Sequence, residues 1–491
     1  MITYRKFAKV PAFAGLIAIA ALAGAPASQA ANVEGQLDPT FGSGGRVVVP
    51  FDVGGGLYDE ATAVDVQPDG KIIVAGNVRL TGGGLNGVGL VRLMPDGSLD
   101  ASFGSGGKRV FGMAPDASLT ANQVIVQPDG KILIAGSYGG DDDTPGFFLT
   151  RFNADGVDTD HGFGPYGQGS VIVTGYHVDP RSRPMALAED GSIFMIASVD
   201  SGPAEGRNII VYKYNSQGFE GSFGYTSLNL SRGGDHWDIP QAIGIQQDGK
   251  VVVAADSNTD TGSEVSVVRL EPDTGALDTG FNGVGIAYVS LPGGCQDQVG
   301  AMQITRRDSS AGGSQDIWIA GTHCITNAAP FLADLDDNGQ LSTNFNAGNV
   351  ATLSPQPGYS NQHVVDLVAQ HTWAYGLSLF NPVGPILISG GNSIAYNNNV
   401  DMLLTRLLPD SNQRDTTFGV NGDQVVYFNH VGGGLGDDWP SAAIRYGTSV
   451  HPVGYLLMVG SVQQKTPSTS NSDFAIVRLL MRDKVYGNGF D

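Results

Sequence analysis

Two tryptophans stand among oxygen-bearing side chains. Asp235, His236, Trp237 and Asp238 form one run, and Asp437, Asp438 and Trp439 form another. An indole offers an apolar face on which a sugar ring can stack, while carboxylates and an imidazole can bond its hydroxyls. These seven residues are the candidate ligand site. Two carboxyl groups facing each other across about 5 to 9.5 Å would extend the chemistry to cleavage or elimination in a polysaccharide. Asp256, Asn258, Asp260 and Glu264 alternate oxygen donors in the manner of a Ca²⁺ loop, without its sixth-position glycine or twelfth-position glutamate. Calcium is therefore the one cofactor the sequence suggests. The patterns G-x-S-x-G, H-E-x-x-H and C-x-x-C do not occur, and no catalytic residue is assigned.

The elements that must position these residues repeat along the chain. The run from Ala63 to Gly76, with Gln67, Pro68, Asp69, Gly70 and Lys71 at its centre, returns at Gln123 to Gly136 and again around residues 184–198 and 242–255. Degenerate copies lie at 301–321, 364–391 and 442–460, making seven. Each reads as a strand, a tight turn and a second strand, the turn being Pro-Asp-Gly in the first two copies. A third strand carrying a basic residue follows, and then a turn ending in phenylalanine before a fourth strand. The phenylalanines are Phe41, Phe103, Phe163, Phe223, Phe281, Phe345 and Phe418. Four short strands per unit predict an all-β, seven-bladed propeller with strands A to D in each blade. The share of glycine, 71 of 491 residues, fits a chain made largely of turns.

At Leu37, Asp38, Phe41, Gly42, Gly44 and Gly45, and at Gln67 to Lys71, the chain resembles the delta-60 repeat family of exported bacterial proteins. The resemblance spans about residues 37–480, is closest in the first, second and fourth units, and implies a β-propeller. It carries no general activity.

The chain enters on strand D and leaves after strand C, so the strand near Arg46 to Val49 is expected to complete the last blade and close the ring. Basic residues of strand C are followed seven to nine residues later by an acid. The expected structural ion pairs are Arg92 with Asp100, Arg151 with Asp158, Arg269 with Asp278, Arg406 with Asp415, and Arg478 with Asp38 from the N-terminus. The unit with Lys213 has Glu220, and the unit with Asp334 in place of a base has Ser342 in place of the acid.

The A–B and C–D turns are short and alike. The D–A and B–C connections are long and differ in every blade, so a ligand is expected on that face and at its central mouth. His177, His236, His323, His363 and His430 could reach it from five blades. Cys295 and Cys324 flank one hairpin and are expected to form a disulfide.

Residues 1–30 read as a signal peptide, with Arg5, Lys6 and Lys9 before an apolar stretch and a cut after Ala30. Losing those three cations takes the net charge from -21 to -24. Such acidity disfavours nucleic acid as a partner. The domains are then the signal peptide at 1–30, the propeller at 31–480 and a tail at 481–491. The sequence-level function is an exported, monomeric binding module, periplasmic or extracellular, with no transmembrane segment, recognising a glycan or a protein. A polysaccharide hydrolase or lyase and a Ca²⁺-dependent surface protein are the alternatives.

Overall fold

The computed structural model describes residues 34–481 except 54–57, 81–84, 114–116, 140–144, 203–205, 231, 234–235, 307–314, 326–327, 357–358, 371–382, 394–399, 427, 429–436, 447–453 and 467–468. The leader expected at 1–30, nearly all of the tail, Asp235 and His430 lie outside the described residues.

The described residues form seven four-stranded antiparallel sheets. Blade 1 comprises Asp59–Val66, Ile72–Arg79, Asn86–Leu93 and Lys108–Phe111. The turn chemistry explains its first hairpin. Gln67 and Lys71 face each other across a 2.8 Å backbone bond, Asp69 Oδ1 accepts from the Lys71 amide, and Gly70 takes a φ of +83° that a side chain would resist. Blade 7 comprises Asp438–Tyr446, Tyr455–Thr466 and Thr469–Leu480, and its fourth strand is Arg46–Val49. Arg46 pairs with Val477 and Val49 with Phe474, so the first strand of the chain completes the last sheet.

Each core cluster mixes two adjacent blades. Ala61, Val64, Ile72 and Val74 of blade 1, for example, pack with Leu457, Val459, Phe474 and Ile476 of blade 7. The repeated phenylalanines sit at these joints. Phe41, Phe103, Phe163, Phe281 and Phe418 are fully buried, each worth roughly 1.5–3 kcal/mol of burial. Phe103 of blade 1 lies so close under the C–D turn of blade 2 that a Cβ on Gly156 would meet its ring at 2.1 Å.

The strand-C arginines complete the joints. Arg92 lies 4.7 Å from the Phe103 ring centroid, and its Nε donates to Asp100 Oδ2 at 2.8 Å. Its Nη1 crosses to Ala154 O of blade 2 at 2.6 Å. Arg269 repeats the arrangement with Phe281, Asp278 and Asp337 O of blade 5. Arg406 pairs with Asp415, and Arg478 pairs with Asp38 from the opposite end of the chain.

Arg151 departs from the expected pairing. Its partner is Asp160, at 2.9 Å, and Asp158 instead lies exposed beside His161. The acid's position is fixed by its distance from the buried phenylalanine. Asp38, Asp100, Asp160, Asp278 and Asp415 each stand three residues before one. In blade 2 Asp158 stands five residues before Phe163 and Asp160 three, so the role falls to Asp160. Lys213 turns to Pro272 O at 2.8 Å and to Asp273 of blade 4, while Glu220 is exposed.

Candidate functional sites on the variable face

Strand A carries a one-residue bulge in six blades, at Thr62, Asn122, Gln241, Gly300, Val365 and Ser441. A bulge leaves a backbone group without its ladder partner. Blade 3 has Arg183 at the corresponding point. Its guanidinium donates to the carbonyls of Thr62, Asn122 and Ser441, at 3.4, 3.3 and 2.6 Å, and to Asp366 Oδ2 at 3.3 Å. One side chain thus joins blade 3 to blades 1, 2, 6 and 7 across the axis. Sequence reasoning passed over it. The available signal was a lone arginine at a strand-A position where the other units carry Thr, Asn, Gln, Gly, Val and Ser.

A second arginine from the same loop faces Asp179 through two bonds of 2.9 and 2.8 Å. Burial would raise the Asp179 carboxyl, but Arg181 outweighs it and the net shift is downward. Asp256 lies nearby, fully enclosed, accepting from Gln241 Nε2 at 2.9 Å and from the Val299 amide at 2.7 Å. Burial pushes it up to about 7. Burial and the Arg181 charge hold His363 down. Asp179, Arg181, Gln241 and Asp256 are thus already bonded among themselves.

The structure does not gather the four expected calcium ligands. Asp256 and Asn258 lie on one face of strand B of blade 4, Val251–Thr259. Glu264 is opposite Ser257 in the pairing and binds Arg232, with Nε to Oε1 at 2.6 Å. Thr259 pairs directly with Gly262, so residues 260 and 261 make a tight hairpin turn and no ion-binding loop.

Trp237 lines a cleft of about 480 Å³ together with Ile239, Asp200, Gly202, Gly206 and Arg207. Its walls are the B–C loop of blade 3 and the D–A loop leading into blade 4. The Arg207 amide donates to His236 O at 2.9 Å, locking the two loops together. Asp200 and Arg207 face each other at the open end of the blade 3 hairpin. Arg207 Nε reaches Asp200 Oδ1 at 3.0 Å, and His177 Nε2 lies 3.2 Å from Asp200 Oδ2. The bond from Arg207 holds the Asp200 carboxyl below its ordinary range. An aromatic face, an exposed carboxylate and a guanidinium therefore meet in one open cleft. Asp200 and Arg207 were not picked out from the sequence, because each is an ordinary polar residue at a strand end.

Asp238 is turned away from this cleft. It is buried, and its Oδ2 accepts from the Leu230 amide at 2.8 Å. Asp438 does the same for Phe428 at 2.8 Å in blade 7. Burial, with the charges of Asp401 and Asp437, pushes Asp438 up to about 7. Asp437 Oδ1 accepts from the Val400 amide at 3.0 Å. Trp439 is 47% exposed and pairs with Ser461, the position Ile239 holds against Asp256. The two tryptophans therefore lie two register positions apart.

Cys295 and Cys324 are joined in a disulfide, with Cα atoms 5.2 Å apart. His323 Nδ1 lies 2.7 Å from Asp297 Oδ1 beside it.

A family profile described as "Domain of unknown function (DUF5122) beta-propeller" matches residues 67–103, 127–157 and 246–281, within blades 1, 2 and 4. No curated protein matches the sequence. Among solved structures, an α-L-arabinanase of Penicillium chrysogenum complexed with arabinobiose is similar at 15% identity, covering 76% of this chain and 97% of its own, with a TM-score of 0.43. The polysaccharide lyase Uly1 shares 11% identity, covering 86% and 90%, at 0.40. The β-propeller domain of the Trilobed protease from Pyrococcus furiosus shares 6%, covering 89% and 99%, at 0.42. These likenesses carry over no site residue to this chain.

Proposed function

We propose that the protein is an exported binding module that holds a glycan in the Trp237 cleft. The observation that supports this reading is the convergence of Trp237, Asp200 and Arg207 on one open cavity of about 480 Å³, within the usual range of about 300–1,000 Å³ for ligand pockets. The indole supplies a stacking face, Asp200 accepts hydroxyl protons, and the N–H groups of Arg207 donate to ring or carboxylate oxygens. A disulfide suits an oxidising compartment, and no helix among the described residues is long and apolar enough to cross a membrane.

The test is a glycan-array screen of the chain from residue 31 to 491, followed by calorimetry on each hit. Trp237→Ala should weaken binding about thirtyfold, as expected for a buried aromatic anchor worth about 2 kcal/mol. Trp439→Ala should leave it unchanged. Equal loss in both variants, or none in Trp237→Ala, would remove the cleft from consideration. Release of reducing ends or unsaturated products from a bound polymer would replace the binding module with the hydrolase or lyase.

A further inference from the structure

Three carboxylates meet where the chain's first and last blades join. Asp52 lies in the loop that leads from Arg46–Val49 into blade 1, and Asp59 opens that blade's first strand, Asp59–Val66. Asp473 lies in strand Thr469–Leu480, next to Phe474, which pairs with Val49. One oxygen from each residue lies within 4.8 Å of the other two. Oxygens bound to a single Ca²⁺ at 2.3–2.6 Å stand at most about 5 Å apart, so the three can share one ion.

A second observation points the same way. Asp59 is 0% exposed. Its Oδ2 accepts from the amides of Phe51 and Asp52, at 2.8 and 3.3 Å, but its Oδ1 has no hydrogen-bond partner. A buried carboxylate oxygen without a donor is costly unless something positive reaches it. Lys108 is the cation felt by Asp473, and its Nζ donates to Pro50 O. Three carboxylates gathered beside this lysine make a hard-oxygen cluster that favours a cation among them. The donors are all hard oxygens, a set that suits Ca²⁺ rather than zinc or copper.

We propose that Asp52, Asp59 and Asp473 form a Ca²⁺ site that fastens the first blade to the last. Asp52 follows the closing strand directly and Asp59 opens blade 1, so the ion ties that strand's exit and the start of blade 1 to the C-terminal strand. This site is distinct from the Trp237 cleft, and its occupancy is independent of the glycan reading.

The experiment titrates CaCl₂ into the chelator-treated chain, residues 31–491, by calorimetry, with melting followed in parallel. One equivalent per chain and a melting rise of at least about 2 °C are expected. Asp59→Asn and Asp473→Asn should abolish the heat. Asp52→Asn, a change in an exposed loop residue that should not disturb folding, should weaken binding at least tenfold. Asp129→Asn, in an exposed turn, should bind as the unaltered chain does. No heat and no melting shift up to about 10 mM Ca²⁺, well beyond the weak end of extracellular calcium modules, would overturn the proposal. So would one equivalent retained at full affinity in Asp52→Asn.

Discussion

Replacing Arg183 with methionine removes the axial cross-brace while keeping most of its hydrocarbon stem. The guanidinium's shortest bond, 2.6 Å to Ser441 O, is charge-assisted, and such bonds contribute about 1.5–3 kcal/mol. The contacts to Thr62 O and Asn122 O are longer and add little. Asp366 is largely buried, and losing the cation from a buried pair costs about 3–5 kcal/mol. Asp366 retains the Ala443 and Leu367 amides, at 2.7 and 2.8 Å, which places this loss at the low end. The expected destabilisation is about 3 kcal/mol. A chain of this size need not unfold in two states, so the unfolding rate in urea is the safer readout. A loss of about 3 kcal/mol carried wholly by unfolding would speed it roughly 150-fold. Arg183→Met, Asp366→Asn and the double variant form a cycle whose coupling should be at least about 1 kcal/mol. Less than a threefold change in Arg183→Met would show that the arginine occupies the channel without bracing it.

Asp160→Asn should cost about 2 kcal/mol by depriving Arg151 of its buried partner, whereas Asp158→Asn should stay within about 0.5 kcal/mol. Urea melts of the two variants decide which acid closes the joint, and equal losses would refute the assignment. Reducing the Cys295–Cys324 bond, whose ends are 29 positions apart in sequence, should cost at most about 3–4 kcal/mol, seen as a lower melting temperature in reductant that Cys295→Ser no longer shows. The enclosed Asp256 carboxyl, faced by Arg181 and Asp179, titrates at about 7 when folded and about 3.9 when unfolded. Its contribution is therefore full below about pH 4 and is lost as pH rises through 7. Asp256→Asn should flatten the fall in melting temperature between about pH 4 and 7, and an unchanged slope would refute the reading.

The parts of the fold legible from sequence are those governed by local rules. Pro68, Asp69 and Gly70 specify a turn by their own backbone preferences, and Phe103 with Asp100 marks the next turn in the same way. Counting such signals along the chain yields seven units, and their phase predicts that Arg46–Val49 pairs with the last strand. Arg183 obeys no local rule. Its partners are 61 to 258 residues away, and only the ring brings them within reach. The Trp237 cleft is of the same kind, since Asp200 and Arg207 belong to one blade and Trp237 to the entry of the next. Asp158 shows a smaller failure. Spacing counted forward from arginine placed the acid, while the chain measures that distance backward from the buried phenylalanine.

The carboxylates beside the tryptophans show why residue type alone misleads in a repeat protein. Asp59, Asp238 and Asp438 each stand two residues before the strand-A position that faces a strand-B glycine or alanine. In each, Oδ2 accepts an amide eight or ten residues earlier, from Phe51, Leu230 or Phe428. Gln362 does the same for the Gln356 amide in blade 6. Asp297, at this position in blade 5, takes the Cys324 amide and His323 instead, where the disulfide fastens the hairpin. The repeated duty is to hold down the D–A loop, and a carboxylate so used does not turn outward to a glycan. Burial, with the charges of Asp401 and Asp437, raises the pKa of Asp438 to about 7 as a consequence of this structural duty. Glycan chemistry is left to residues that the repeat does not employ. Asp200 and Arg207 at the mouth of blade 3 meet that condition, and so does Trp237, one residue before the latch.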